Sequence, residues 1–170
     1  MKRTILFSLA ILSAVLLNAA VGISNGNTTL YYELNNTEKI ATLVPSEGEP
    51  YAGVVNIPEN IQHDGVNYDV ATIAKEAFKS CKELTEISIP RTITKIGGHA
   101  FKGCENLRTV NYNATNCVSA ADVAGKSVYS AFEDCKSITT LNLGGQVVII
   151  PEYIFWGCTG LTEVTIPENV

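Results

Sequence analysis

The sequence predicts a solenoid of stacked repeats, with short parallel β-strands along one side and a β-rich segment before the first repeat. Three observations support this prediction. One pattern of apolar residues recurs four times after residue 73. Four of the five Phe and four of the five Cys in the chain occupy the same two positions of that pattern. The segment before the pattern carries hairpin signals instead, which indicates a separate cap.

The β-rich segment, predicted to span residues 23–72, contains two turn signals. Leu30–Leu34 and Lys39–Val44 flank Asn35–Thr37, a combination typical of a β-hairpin. Asp64-Gly65 comes before an alternating apolar and polar run and predicts a tight turn. Between these two signals, residues 54–58 resemble a degenerate strand of the repeats. A solenoid needs a cap over the apolar edge of its first repeat, and this segment is placed to provide it.

The repeats, predicted to span residues 73–170 as about four coils, align without gaps inside each copy. The Phe-to-Phe spacings are 23, 31 and 23 residues, so one interval carries an eight-residue insertion. This insertion, at about 113–127, includes Ser119–Asp122, a sequence that suits one short capped helical turn or a loop. The chain stops directly after a predicted strand, so we expect the last coil to be truncated. The aligned core positions are Phe78, Cys81, Leu84, Ile87, Ile89, Phe101, Cys104, Leu107, Val110, Phe132, Cys135, Ile138, Leu141, Leu143, Phe155, Cys158, Leu161, Val164 and Ile166.

Each repeat consists of a predicted strand and a returning limb. Ile87 and Ile89, two residues apart, point to one face of a strand, and Glu86 and Ser88 point to the other. One coil cannot bury its apolar face alone, so neighbouring coils stack and pair their strands in parallel. The Leu-x-x-Ile-x-Ile part matches the strand-forming core of a leucine-rich repeat. The predicted fold is a leucine-rich-repeat solenoid, with strands on the concave side and irregular or short helical limbs on the convex side.

The first 22 residues predict a signal peptide. Lys2 and Arg3 form a positive region, Ile5–Leu17 is an apolar run, and Ala20–Gly22 places small residues at a cleavage site after Gly22. A membrane anchor is the alternative, but spanning the bilayer takes about 20 apolar residues, and this run is shorter. The sequence therefore predicts an exported protein, secreted or held at the cell surface, with no transmembrane span.

The charge pattern argues against nucleic acid as a partner. The chain has 12 basic residues, and removing the two in the leader leaves 10 against 17 acidic ones, a net charge of −7. The basic residues are scattered rather than clustered. A nucleic-acid-binding surface needs a concentrated positive patch that displaces counterions from phosphates. The composition thus favours a different class of partner.

The reactive side chains predict no catalytic, metal or cofactor site. Cysteines in an exported protein suggest disulfides, but identical positions in successive coils point in parallel, so buried thiols acting as small hydrophobes are favoured. Cys117 lies outside the repeat pattern and is a candidate unpaired thiol. His63 and His99, the two histidines, have no spacing that suggests a catalytic or zinc site. We expect His99 to be solvated, because its position varies between repeats, and we expect no enzymatic activity and no cofactor.

A family resemblance rests on the stretch Ile96–Leu107, Ile-Gly-Gly-His-Ala-Phe-Lys-Gly-Cys-Glu-Asn-Leu, and on the similar stretch Ile150–Cys158. Both resemble the BspA-like class of leucine-rich repeats, over about residues 73–170. The resemblance implies a secreted or surface-displayed protein. It also implies a role as an adhesin that binds matrix proteins or other cells.

The strand positions that face solvent are the candidate binding residues. Stacked coils would set their short hydroxyl and amide groups side by side as a ladder on an extended concave surface. A binding surface for a protein or glycan is one interpretation. The other is a structural spacer fragment of a larger surface protein, in which the repeats only project or rigidify another domain and these residues are merely soluble strand residues without binding activity. The candidates are Val54, Asn56, Glu86, Ser88, Thr109, Asn111, Thr140, Asn142, Glu163 and Thr165. Trp156, expected to be exposed, is a further candidate contact.

Overall fold

The computed structural model describes residues 19–118 and 130–170, which form ten β-strands in two sheets. None of the described residues is helical, so the returning segments of the repeats consist of turns. The predicted signal peptide and the candidate helical turn at Ser119–Asp122 lie outside the described residues, apart from residues 19–22. The strands are β1 (Val21–Asn25), β2 (Thr28–Asn35), β3 (Ile40–Val44), β4 (Gly53–Asn56), β5 (Asn60–His63), β6 (Val66–Ile73), β7 (Leu84–Ile89), β8 (Lys95–Ile96), β9 (Thr109–Tyr112) and β10 (Thr140–Leu143).

The six-stranded sheet has the order β1-β2-β3-β6-β5, with β8 paired to β6. Both predicted turns form in this sheet. β2 and β3 pair antiparallel, and the Asn35 side-chain oxygen accepts the backbone N–H groups of Thr37 and Glu38 in the connecting turn. β5 and β6 also pair antiparallel, through Asp64 and Gly65 at φ of 49° and 76°. Two consecutive residues at positive φ give the turn that suits the twist of a hairpin.

The four-stranded sheet has the order β10-β9-β7-β4, and every pair in it is parallel. The predicted parallel strands of the repeats are thereby confirmed for the first three. The degenerate strand predicted within residues 54–58 is also confirmed, since β4 pairs with β7. The shared register places Val54, Glu86, Thr109 and Thr140 in one row across the sheet.

The two sheets exchange strands across the boundary predicted at residues 72 and 73. β4 comes from the amino-terminal segment but completes the sheet of the repeats. β8 comes from the repeats but pairs with β6 of the amino-terminal sheet, where Thr72 and Ile73 stand opposite Lys95 and Ile96. At the same place Gly97 passes so close to the Lys75 backbone that a Cβ atom would collide with it. The amino-terminal sheet and the repeats therefore share one continuous core.

The repeat Phe residues stack along this core. Ring centroids lie 4.8 Å apart between Phe78 and Phe101, 4.4 Å between Phe101 and Phe132, and 5.0 Å between Phe132 and Phe155. Tyr51 extends the stack on the amino-terminal side, 4.7 Å from Phe78. The first three Phe side chains are fully buried. The stack explains why Phe recurs at one position, because each ring fills the space between its neighbours.

The repeat cysteines form a second row beside the rings. All five cysteines are buried thiols with no disulfide, and for the four repeat cysteines this was the favoured prediction. The Cys104 thiol donates to the Phe78 carbonyl at 3.1 Å, and the Cys135 thiol donates to the Phe101 carbonyl at 3.0 Å. The Cys158 thiol donates in the same way to the Phe132 carbonyl at 3.5 Å, so three repeat thiols each bond to the preceding repeat.

The last repeat departs from the predicted core. Residues 161–167 form no strand, and the Ile166 side chain is 54% exposed, so its assignment as a core residue is wrong. Leu161 and the Val164 side chain are only half-buried. No described segment lies on their far side, so nothing covers them. At the other end, β1 starts at Val21, so two residues of the predicted signal peptide belong to a strand.

Candidate functional site: the strand face

The outward side of the four-stranded sheet, which we call the strand face, carries two rows of side chains, all of them polar except Val54. Alternation along each strand turns the apolar residues into the core and leaves these groups outside. Parallel pairing in one register then aligns equivalent positions of successive repeats. The two rows are Val54, Glu86, Thr109, Thr140 and Asn56, Ser88, Asn111, Asn142. These eight predicted candidates are thus brought together, at strand separations of about 4.8 Å.

Hydrogen bonds join the strand face across repeats. The Asn142 amide donates to the Asn111 side-chain oxygen at 2.7 Å. The Asn111 amide donates in turn to Glu86 Oε1 at 2.8 Å and to Ser88 Oγ at 3.1 Å. Both amide hydrogens of Asn111 are therefore used within the protein. Asn111 holds the neighbouring side chains in place, whereas the Thr109 and Thr140 hydroxyl groups on the other row remain available to a ligand.

Two predicted candidates lie apart from the rows. Glu163 and Thr165 belong to the last repeat, which forms no strand beside β10, so the structure does not align them with the other candidates. They instead line one side of a groove of about 470 Å³, and Thr140 and Asn142 line the other. The strand face consequently ends at β10 among the described residues.

A family model for the BspA type leucine rich repeat region matches residues 71–170, with six copies of the repeat. The chain belongs to the BspA-type leucine-rich repeat family. The aligned Phe and Cys pattern gave four copies over almost the same residues. No curated protein matches this chain.

A solved structure shows the same fold for the BspA-type chain. A leucine-rich repeat protein from T. pallidum matches with a TM-score of 0.59 and 24% identity, over 83% of this chain and 59% of that one. A leucine-rich repeat protein from Bacteroides capillosus has a TM-score of 0.47 and 22% identity, with 88% and 84% covered. A leucine rich cell surface protein from Faecalibacterium prausnitzii has a TM-score of 0.46 and 24% identity, with 88% and 49% covered. This chain thus spans a little over half of the T. pallidum protein.

His99 is the site residue for which the prediction from sequence is wrong. Its side chain is 15% exposed rather than solvated, and its Nε2 lies 2.7 Å from Glu133 Oε2 in the next repeat. Lys102 reaches the other oxygen of Glu133 at 3.0 Å. Turn positions of adjacent repeats lie side by side, so a charged residue in each can pair with its neighbour. Lys102 and Glu133 each follow the repeat Phe, and their opposite charges at one repeat position were the signal in the sequence for such a contact.

Trp156 is 52% exposed, as predicted, and Tyr153 nearby is 43% exposed. Both lie on the turn of the last repeat and not on the strand face.

No group of three or more His, Cys, Asp or Glu residues in the described ranges is arranged to hold a metal ion. Among those residues there is also no helix long and apolar enough to cross a membrane.

Proposed function

We propose that this BspA-type protein is an exported binding module, displayed at or released from the cell surface, that contacts a protein or glycan through its strand face. The observation that carries the proposal is the alignment of polar side chains over four strands. Groups held in register need little further ordering when a ligand arrives, which reduces the entropic cost of binding. Family resemblance supports an adhesin and a non-enzymatic role.

The chemistry of the strand face fits an extended contact rather than a pocket. Its side chains are short, so a partner approaches the sheet closely over several repeats. Hydroxyl groups of Thr109 and Thr140 both donate and accept hydrogen bonds, and Glu86 accepts them. Such a surface binds through many modest contacts, and it gains affinity from their number.

The test compares two pairs of substitutions that add the same charge to the same two repeats. Thr109→Lys with Thr140→Lys alters the exposed row and leaves the Asn111 hydrogen bonds in place. Asn106→Lys with Ser137→Lys alters the turns before the strands and is the matched control. Each protein is measured for saturable binding to immobilised matrix proteins, mucin glycans and whole cells. Loss of binding in the first variant alone supports the strand face as the site.

The opposite pattern, with binding lost only in the control, would place the site on the turns and refute the assignment.

A structural spacer is the second candidate function, and one observation favours it. The Asn111 side-chain amide donates both of its hydrogen bonds to groups within the protein, as expected of a network that only stiffens the sheet. A spacer predicts no saturable binding by the unaltered protein to any of the three ligand classes.

A further inference from the structure

We propose that the outer edge of β4 takes up an extended, basic segment of a partner protein as a fifth strand of the four-stranded sheet. This site shares Val54 and Asn56 with the strand face but uses the outward backbone groups of β4, so it does not depend on the function proposed for the strand face. Addition of a strand to an open sheet edge is a recurring mode of peptide recognition, in which backbone hydrogen bonds supply affinity.

The backbone of β4 has one side paired and one side open. The Gly53 N–H donates to the Glu83 carbonyl at 2.7 Å, and the Ile57 N–H donates to the Ser88 carbonyl at 3.0 Å. Backbone groups alternate in direction along a strand, so Gly53, Val55 and Ile57 face β7 and the groups of Val54 and Asn56 face away from it. No strand among the described residues pairs with that outer side.

A side chain already occupies part of the open edge. The Asn25 side-chain amide donates to the Asn56 carbonyl at 2.5 Å. An amide therefore reaches this carbonyl from outside the sheet, where the N–H of an added strand would stand. An antiparallel segment would place one residue opposite Val54 and another opposite Asn56, and each would exchange two hydrogen bonds with β4.

A groove of about 640 Å³, within the range of volumes of ligand pockets, lies beside the start of this edge at Gly53 and Val54. One wall is the β1–β2 turn and the start of β2, and the other is the loop at residues 46–53. The wall at Tyr51 is held firmly, since its hydroxyl donates to the Val44 carbonyl at 2.8 Å and accepts the Tyr31 N–H at 3.2 Å. The Val54 side chain, 55% exposed, offers an apolar contact at the groove floor.

The charge of the groove selects the occupant. Glu49 lines it, Glu47 lies in the same exposed loop, and no Lys or Arg is among its lining residues. An added strand that carries Lys or Arg opposite this loop gains favourable electrostatics. A second copy of this chain fits less well, because pairing β4 with β4 would bring two acidic loops together.

The first experiment follows backbone amide exchange by NMR on the whole protein. The probe is the capped peptide acetyl-Lys-Thr-Val-Thr-Val-Lys-amide, and its counterpart with Glu in place of Lys is the control. With saturating basic peptide, exchange at Val54 and Asn56 should slow by about tenfold, while exchange at Gly53 and Val55, already bonded to β7, stays unchanged. No protection at Val54 and Asn56, or equal protection by the Glu peptide, would overturn the proposal.

The second experiment changes the site. Glu49→Lys should weaken binding of the basic peptide by about tenfold, and Glu168→Lys, a matched change on an exposed residue of the last repeat, should leave it unchanged. Asn25→Ala should tighten binding, since it frees the Asn56 carbonyl. Unchanged affinity in Glu49→Lys contradicts the basic segment. Protection of Val54 and Asn56 that grows with protein concentration, without peptide, would assign the edge to a second copy and equally refute the proposal.

Discussion

Phe101 lies between two other rings, at 4.8 Å from Phe78 and 4.4 Å from Phe132, and it is fully buried. Phe101→Ala should lower the free energy of unfolding by about 3–5 kcal/mol, because neighbouring repeats cannot close the space that the ring leaves. Phe155 stacks on one side only and is half-buried, so Phe155→Ala should cost clearly less. Urea unfolding of both variants gives the comparison. Equal losses would show that the end of the stack is as well packed as its middle.

The buried thiols should make stability depend on pH in the alkaline range. Burial raises the pKa of Cys81, and it raises the pKa of Cys158 to about 12. The neighbouring Cys135 thiol, together with burial, raises the pKa of Cys104. In the unfolded chain these thiols ionise near pH 8.5. Folding favours the protonated form, so stability is complete below about pH 8.5 and falls as pH rises from there toward about 12.

Urea unfolding under reducing conditions at about pH 7.5 and about pH 9.5 measures this effect, which should total about 1.4 kcal/mol over this interval for each thiol that stays protonated in the folded protein. The variant with Cys81→Ala and Cys158→Ala is the control. Its free energy of unfolding should change less between the two pH values, because two of the ionising thiols are absent. An unaltered pH dependence in this variant would mean that other groups, such as the buried tyrosines, are responsible.

The turn elements of the repeats place residues in the left-handed region at two positions. One precedes the Ala-Phe or Ile-Phe pair, with φ near 60° at Glu76, His99 and Tyr153. The other precedes the Cys and is Gly103 or Gly157 in two repeats but Ser80 and Asp134 in the others, at φ of 59° and 62°. Glycine adopts this conformation without strain, whereas other residues pay about 1–2 kcal/mol.

Ser80→Gly should therefore stabilise the protein by up to about 1 kcal/mol, after the larger backbone entropy of unfolded glycine is subtracted. Asp134→Gly should gain less, because Asp tolerates the left-handed region better than Ser. Lys79→Gly, at the neighbouring position without positive φ, is the control and should destabilise. Thermal or urea unfolding decides the outcome. A loss of stability in Ser80→Gly would show that its side-chain contacts outweigh the strain.

The elements differ in how far the sequence determines them. The register of Phe and Cys was predictable because spacing alone places equivalent residues in equivalent repeats. Hairpin turns were predictable from local chemistry at residues 35–37 and 64–65. The strand predicted at residues 161–167 does not form, although β10 precedes it as a possible neighbour, because the apolar alternation that predicts a strand does not determine whether its backbone pairs. In the site, the rows of side chains followed from the repeat, but the bonds of Asn111 and the contact of His99 with Glu133 depend on packing.

At the scale of the whole molecule, the exchange of β4 and β8 between the two sheets joins the amino-terminal segment and the repeats into one folding unit. A division at residue 73 would follow the repeat pattern, but it would cut through two strand pairings. β4 would leave the repeat sheet, exposing the open edge of β7, and β8 would lose β6. Tyr51 would also leave Phe78, whose ring is fully buried in the intact protein. The amino-terminal sheet is therefore part of the folding unit of the repeats.

A chain of residues 73–170 alone should consequently lack a cooperative unfolding transition, while the unshortened chain unfolds in one step. Far-UV circular dichroism during a urea titration shows both. The matched control removes residues 148–170 from the other end, where no described strand is lost. That shortened protein should keep a single transition at a lower urea midpoint. A cooperative transition of residues 73–170 at the urea midpoint of the unshortened chain would show that the exchanged strands contribute nothing to stability, and that the repeats fold without the amino-terminal sheet.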